Sequence, residues 1–145
     1  MHKILGLDYG EKRIGLAVSD ESLTLARELE ILSPNEFWKQ ILNLIAEHNL
    51  NLIVLGWPLN MSGEQTEKTR EVEKFKLKLE AKTGLKVEVI DERLSSQMAE
   101  NLPGGRKNVD SLAAQIILQN YLDKNRHENT RQQSLEASAD GGQAN

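Results

Sequence analysis

Two apolar runs joined by a tight polar loop constrain this chain more than any other feature. Ile4-Leu5-Gly6-Leu7 ends on Asp8-Tyr9-Gly10, and Arg13-Ile14-Gly15-Leu16-Ala17-Val18 ends on Ser19-Asp20. The near-continuous apolar character of Lys3 to Asp8 predicts a strand buried on both faces, hence central in its sheet. Tyr9 to Lys12 reads as the turn, with Gly10 supplying backbone freedom. After it, Ile14, Leu16 and Val18 alternate with Gly15 and Ala17, a strand period with one small-residue face. Such a face lets another element, most simply a helix, approach closely. The pair is therefore an antiparallel hairpin with the Asp8 carboxylate at the mouth of a sheet.

The rest of the chain extends that sheet. Ala26 to Leu32 alternates as a third strand. Ser33-Pro34-Asn35-Glu36 has the pattern of a capping box and opens a helix with Phe37, Trp38, Ile41, Leu42 and Ile45 on one inward face. Leu52 to Gly56 is an apolar strand that, coming after a helix, runs parallel to the first. Glu64 to Lys82 is a lysine-rich helix with Val72, Phe75 and Leu79 on one stripe and a solvated face elsewhere, closed by Gly84. Lys86 to Asp91 is the fifth strand. Ser95 to Leu102 reads as a short helix, Pro103 to Lys107 as a basic loop, and Val109 to Leu122 as a last helix with a wide apolar face. The order β-β-β-α-β-α-β-α predicts an α/β domain over residues 1–123, a mixed five-stranded sheet flanked by helices. From Lys124 the chain is polar, so residues 124–145 are expected to be a disordered tail.

Composition narrows the chemistry. A chain of 145 residues suits one domain with a real core. It contains no cysteine, which excludes disulfides, a thiolate zinc site and a cysteine nucleophile, and fits a reducing compartment. No apolar run approaches the ~20 residues that span a bilayer. Met1-His2-Lys3 leads into a strand rather than a signal peptide, so a cytoplasmic protein is expected. The net charge of −4 argues against a general nucleic-acid binder, yet Lys and Arg outnumber Asp and Glu between Thr66 and Lys107.

Several acids stand at element ends rather than on solvated faces: Asp8 after the first strand, Asp91-Glu92 after the fifth, and Asp110 at the start of the last helix. Singly, each has a plain structural role, as a turn residue, a surface ion pair or an N-cap. Jointly, they would meet where open α/β sheets place their sites, at the carboxyl ends of parallel strands. Clustered carboxylates repel one another, and a divalent cation removes that penalty. Mg²⁺ or Mn²⁺ prefers oxygen ligands and keeps positions for water and phosphate. Two such ions ~3.5–4 Å apart suit phosphodiester cleavage. The basic loop at Arg106 and Lys107 is the best phosphate contact by composition.

These residues also carry a resemblance. Gly6 to Asp20, Gly56-Trp57-Pro58-Leu59-Asn60-Met61-Ser62-Gly63, Asp91-Glu92-Arg93-Leu94-Ser95-Ser96, and Asp110-Ser111-Leu112-Ala113-Ala114 with Ile117 to Leu122 resemble, in order and spacing, the motifs of the bacterial YqgF (RuvX) family. The resemblance covers about residues 1–123. It implies an RNase H-like fold and a cytoplasmic nuclease. Members are described as candidate Holliday-junction resolvases and as nucleases that mature the 5′ end of pre-16S rRNA. By motif, Asp8, Glu92 and Asp110 would be the catalytic, metal-binding acids, with Asp91 the alternative to Glu92. Lys12, Arg13 and Arg93 would contact substrate phosphate or orient the carboxylates. The implied partner is nucleic acid, structured RNA or branched DNA, without a membrane, and the chain is read as a monomer or homodimer. Junction resolvases of this fold usually carry a fourth acid one turn from the last-helix acid. Here Lys107 and Ala113 flank Asp110 at that spacing, which favours RNA processing.

Two other classes fit parts of the pattern. A non-catalytic binder of rRNA precursors could keep the same acids as a remnant. An ATPase of the actin and sugar-kinase type also puts Asp-x-Gly in a hairpin, but it needs a duplicated domain and a second such motif. The only other Asp-Gly, Asp140-Gly141, lies in the tail.

Overall fold

A computed structural model describes residues 2–60, 62–92 and 112–126. Its elements are β1 (Lys3–Tyr9), β2 (Ile14–Ser19), β3 (Ala26–Leu32), α1 (Pro34–His48), β4 (Leu50–Trp57), α2 (Glu67–Thr83) and β5 (Lys86–Asp91). A further helix, α3, covers 112–126. The sheet order is β3-β2-β1-β4-β5, so β1 is central, as its two-sided apolar character requires. β2 runs antiparallel to β1 and β3, whereas β4 runs parallel to β1 and β5. The expected short helix over Ser95 to Leu102 and the loop from Pro103 to Lys107 lie outside the described residues. α3 continues to 126, three residues into the stretch read as tail. Asp123 turns back to Arg126 there at 2.7 Å, an i,i+3 pair that extends the last turn.

Local chemistry explains the element bounds. The Ser33 hydroxyl accepts from the Glu36 N–H at 3.3 Å, and Pro34 opens α1 where its missing N–H costs nothing. Asn49 closes the helix in the left-handed region at φ 54°, its N–H bonded to the Ile45 carbonyl. α2 starts at Glu67, later than the Glu64 predicted from sequence, because Asn60 holds the intervening chain in a turn. Its Oδ1 accepts from the N–H groups of Ser62 (2.9 Å) and Glu64 (2.8 Å). The Thr66 N–H then bonds Thr69 Oγ1 at 2.9 Å, and the Thr69 hydroxyl donates to the Pro58 carbonyl, which ties the helix start to the exit of β4. Gly84 ends α2 at φ 71°.

Alternation along the strands divides the core in two. On one face Leu5, Leu7, Leu16, Ile53 and Leu55 pack with Phe37, Ile41 and Leu44 of α1 and Val72, Phe75 and Leu79 of α2. On the other, Ile4, Ala17 and Val54 pack with Ala114, Ile117, Leu118 and Tyr121 of α3. Each fully buried aliphatic or phenyl side chain contributes about 1.5–3 kcal/mol. Leu42, assigned to the inner face of α1 by sequence, is 51 % exposed. The inner stripe runs through 37, 41 and 44, and residue 42 turns about 100° away from 41. Two glutamines of α3 also cover the outer edge of β3. Ala26 donates to Gln119 Oε1 (2.8 Å), and the side-chain amides of Gln115 and Gln119 donate to the carbonyls of Ala26 (3.1 Å) and Thr24 (2.9 Å). Edge backbone groups are thereby paired within the chain.

Gly6 is where α3 comes closest. A Cβ there would lie 2.7 Å from the Leu118 Cβ and 3.2 Å from the Ala114 carbonyl oxygen. Gly6→Ala should therefore cost about 1–3 kcal/mol through overpacking, read as a lower denaturation midpoint in urea. A second prediction concerns acid stability. The Tyr121 hydroxyl donates to Glu88 and holds its carboxyl below the ordinary 4.5, with Lys86 helping against partial burial. A carboxyl depressed in the folded state stabilises the fold at pH above its unfolded pKa, and that contribution is lost as pH falls through the folded value. Tyr121→Phe should raise the Glu88 pKa in an NMR titration and shrink the loss of stability on acidification below about pH 4.5.

Candidate active site

The parallel strands β1, β4 and β5 end together, and their last residues define the site. Asp8 is the penultimate residue of β1 and half-buried. It has the parity of Ile4 and Gly6, so it lies on the α3 face of the sheet. β1 and β4 pair through Leu7↔Leu55. One residue further, that register sets Asp8 beside Gly56.

Glu92 follows β5, its N–H bonded to the Trp57 carbonyl at 3.2 Å. Its side chain lies across Gly56. A Cβ on Gly56 would stand 2.6 Å from Glu92 Oε2 and 2.7 Å from Ile117 Cδ1. Asp8 and Glu92 thus share one face on either side of a residue without a side chain. β1 and β5 are two strand spacings apart, about 10 Å. The Glu92 carboxylate reaches inward over the bare Gly56, toward the β1 side of that gap. Asp91 is exposed and has the parity of Val87, which is buried on the opposite face. Strand alternation therefore separates the two acids that the sequence left as alternatives.

Basic residues border the same sheet end. Lys68, in the first turn of α2, reaches Glu92 Oε1 at 4.0 Å, with the lysine side chain 58 % exposed and the glutamate 13 %. Lys68 lines an open cleft with Tyr9, Gly10, Lys12 and Glu71. Gly10 keeps the hairpin tight there, since a Cβ would meet the Arg13 carbonyl oxygen at 2.7 Å. Lys12 and Arg13 are both exposed in this turn. Tyr9 stacks on Phe75 at 4.5 Å, and its phenol is pushed above 10 by burial and by Glu71 and Glu11, so it is protonated at neutral pH. Arg93, Arg106, Lys107 and Asp110 lie outside the described residues. Among the described residues no three acidic or histidine side chains form a group that could hold a metal ion. The two described acids supply only hard carboxylate oxygens, and the cation beside Glu92 shows that this carboxylate takes a positive neighbour; both properties suit Mg²⁺ or Mn²⁺.

Sequence reasoning missed two residues of this site. Gly56 read only as a strand exit, although a glycine between two strand-end acids is a signal for close approach. Lys68 read as part of a solvated helix, and nothing local in the sequence sets it apart.

A mixed sheet opened by three antiparallel strands, with acids gathered at the ends of its parallel strands, is the RNase H-like class of α/β domain that the motif resemblance implies. Sequence comparison places the chain more narrowly. Residues 2–124 match the family model RuvX, described as Holliday junction resolvase. A "Putative pre-16S rRNA nuclease" of Maridesulfovibrio salexigens is 37 % identical over 131 residues, covering 83 % of this chain and 97 % of that protein. Proteins with the same description from Chloroflexus aurantiacus and Sulfurihydrogenibium sp. are 38 % and 41 % identical; the alignments cover 94 % and 86 % of this chain and 97 % and 92 % of theirs. The chain belongs to the RuvX family. Among solved structures, RuvC of Thermus thermophilus in complex with Holliday junction substrate is similar with a TM-score of 0.49 at 15 % identity, over 81 % of this chain and 92 % of that one.

Gly56→Ala tests the geometry of the gap. It should destabilise the fold by about 1–3 kcal/mol in urea unfolding. It should also move the Glu92 carboxylate, seen as a changed Glu92 side-chain NMR shift.

Proposed function

We propose that this protein is a divalent-metal-dependent endonuclease that cuts structured RNA and matures the 5′ end of pre-16S rRNA in the cytoplasm. The observation that carries this reading is the placement of Asp8 and Glu92 on one face around Gly56. The names of the RuvX relatives supply the substrate class. Asp8 and Glu92, with Asp110 on the segment before α3, would hold Mg²⁺ or Mn²⁺. When bound, such an ion supplies charge stabilisation at the phosphorus and lowers the pKa of water.

The remaining roles belong to the chain itself. Lys12 and Lys68 line the cleft and bind the phosphate next to the scissile bond; the family motifs add Arg13 and Arg93, and composition adds Arg106 and Lys107, as further phosphate contacts. Lys68 balances Glu92 in the free protein and turns toward the phosphate once that carboxylate is otherwise neutralised. Ion-pair reach of 4.0 Å leaves it free to exchange partners. Tyr9 keeps its proton and packs one wall of the cleft.

The test is cleavage of labelled pre-16S 5′ leader RNA beside a four-way DNA junction, with Mn²⁺ or EDTA. Leader RNA should be cut and EDTA should stop the reaction. Asp8→Asn should slow cleavage roughly 10²–10³-fold with an unchanged circular dichroism spectrum, since a metal-held charge supplies several kcal/mol to the transition state. Cleavage by Asp8→Asn at the wild-type rate overturns the mechanism. Preference for the junction moves the substrate to branched DNA. RNA binding that persists in EDTA without any cleavage assigns the chain to the non-catalytic class.

A further inference from the structure

We propose that the furrow between α1 and α2 is a track for the sugar-phosphate backbone of the substrate strand, remote from the scissile bond. This rests on the nuclease reading and adds a second contact surface to it. Three clefts join end to end along this face. The cleft beside the site shares Tyr9 and Glu71 with a second one, lined also by Trp38, Lys74 and Lys78. That one shares Trp38 and Lys78 with a third, lined also by Lys39, Leu42 and Lys82. The line therefore starts at the site and ends near the carboxyl end of α2.

Charge along the line is asymmetric. Glu11, Glu67 and Glu71 sit at the site end. Beyond Glu71 the charged residues lining the furrow, among the described residues, are Lys39, Lys74, Lys78 and Lys82. Lys74, Lys78 and Lys82 recur every four residues, which puts three like charges on one helical stripe where they repel. A solvated face balances such charges with acids four residues away, as Lys76 does with Glu80 at 3.1 Å. Lys78 and Lys82 instead converge on a neutral partner, with ammonium groups 4.4 Å and 5.7 Å from the centre of the Trp38 ring. The indole holds both cations without neutralising them. In a chain of net charge −4, an exposed lysine stripe that leads to the site matches a polyanion. Lys68 and Lys82 bracket most of α2, about 21 Å at 1.5 Å per residue, or about six stacked nucleotides at 3.4 Å each.

The experiment compares two RNAs by fluorescence anisotropy across a salt series: the leader stem alone, and the same stem with a single-stranded flank of about eight nucleotides. The wild-type protein should bind the flanked RNA more tightly. The triple variant Lys74→Gln/Lys78→Gln/Lys82→Gln should lose that advantage, about ten-fold near 0.1 M salt, and its log–log salt slope should shrink by about 2, near 0.7 per lost phosphate contact. Lys76→Gln, on the same helix but paired with Glu80, should keep the advantage. In Trp57→Phe, with all lysines intact, the emission of Trp38 should shift when flanked RNA binds and draws the ammonium groups off the ring. A wild-type protein indifferent to the flank, a triple variant that keeps the full advantage and slope, or a silent Trp38 overturns the track and leaves the nuclease reading standing. A wild-type protein that binds neither RNA overturns both.

Discussion

Two missing methyl groups at the middle of the sheet govern this molecule. Gly6 on β1 admits the Leu118 side chain, and Gly56 on β4 admits Ile117 together with the Glu92 carboxylate. Dense interiors leave no slack for an extra carbon at such contacts. One close approach seats α3 on the central strands. The other clears the space that the Glu92 carboxylate enters, on the sheet face that also carries Asp8. Packing and candidate chemistry therefore share one surface, and the same helix serves both.

The opposite face answers a different demand. There α1 and α2 bury Phe37, Ile41, Phe75 and Leu79, and the seam between the helices is filled by aromatic rings, with Trp38 5.3 Å from Phe75 and Tyr9 4.5 Å from it. That seam runs from the site toward the far end of α2. Its apolar floor sets the spacing of the two helices, and its lysines give it a sign opposite to that of the chain as a whole. The first turn of α2 belongs to both regions, since Lys68 meets Glu92 while Thr69 is bonded to the exit of β4.

Edges and ends complete the arrangement. The outer strand β3 receives two glutamine amides from α3 instead of solvent or another chain. Asn60 delays the start of α2 and so decides which turn of that helix meets the sheet end. Small polar side chains thus position the larger elements by pairing backbone groups within the chain.

Much of this was legible in the residues. The bounds of β3 and β5, the cap at Ser33, the stop at Gly84 and the central place of β1 follow from local period and propensity, which act over a few residues and need no knowledge of the fold. Motif and element ends also singled out Asp8 and Glu92 as candidates, and the structure puts both on the α3 face of the sheet. The sidedness of Leu42, the division between Asp91 and Glu92, the partner of Lys68 and the pairing of Lys78 and Lys82 with Trp38 were not. Each depends on residues from different elements brought together by strand pairing or helix packing, and no local period encodes such a meeting. The sequence by itself determined which segments become strands and helices and which acids end them. Only the tertiary structure decided which of those acids share a face, and which lysines stand beside them, because that choice is made across the sheet rather than along the chain.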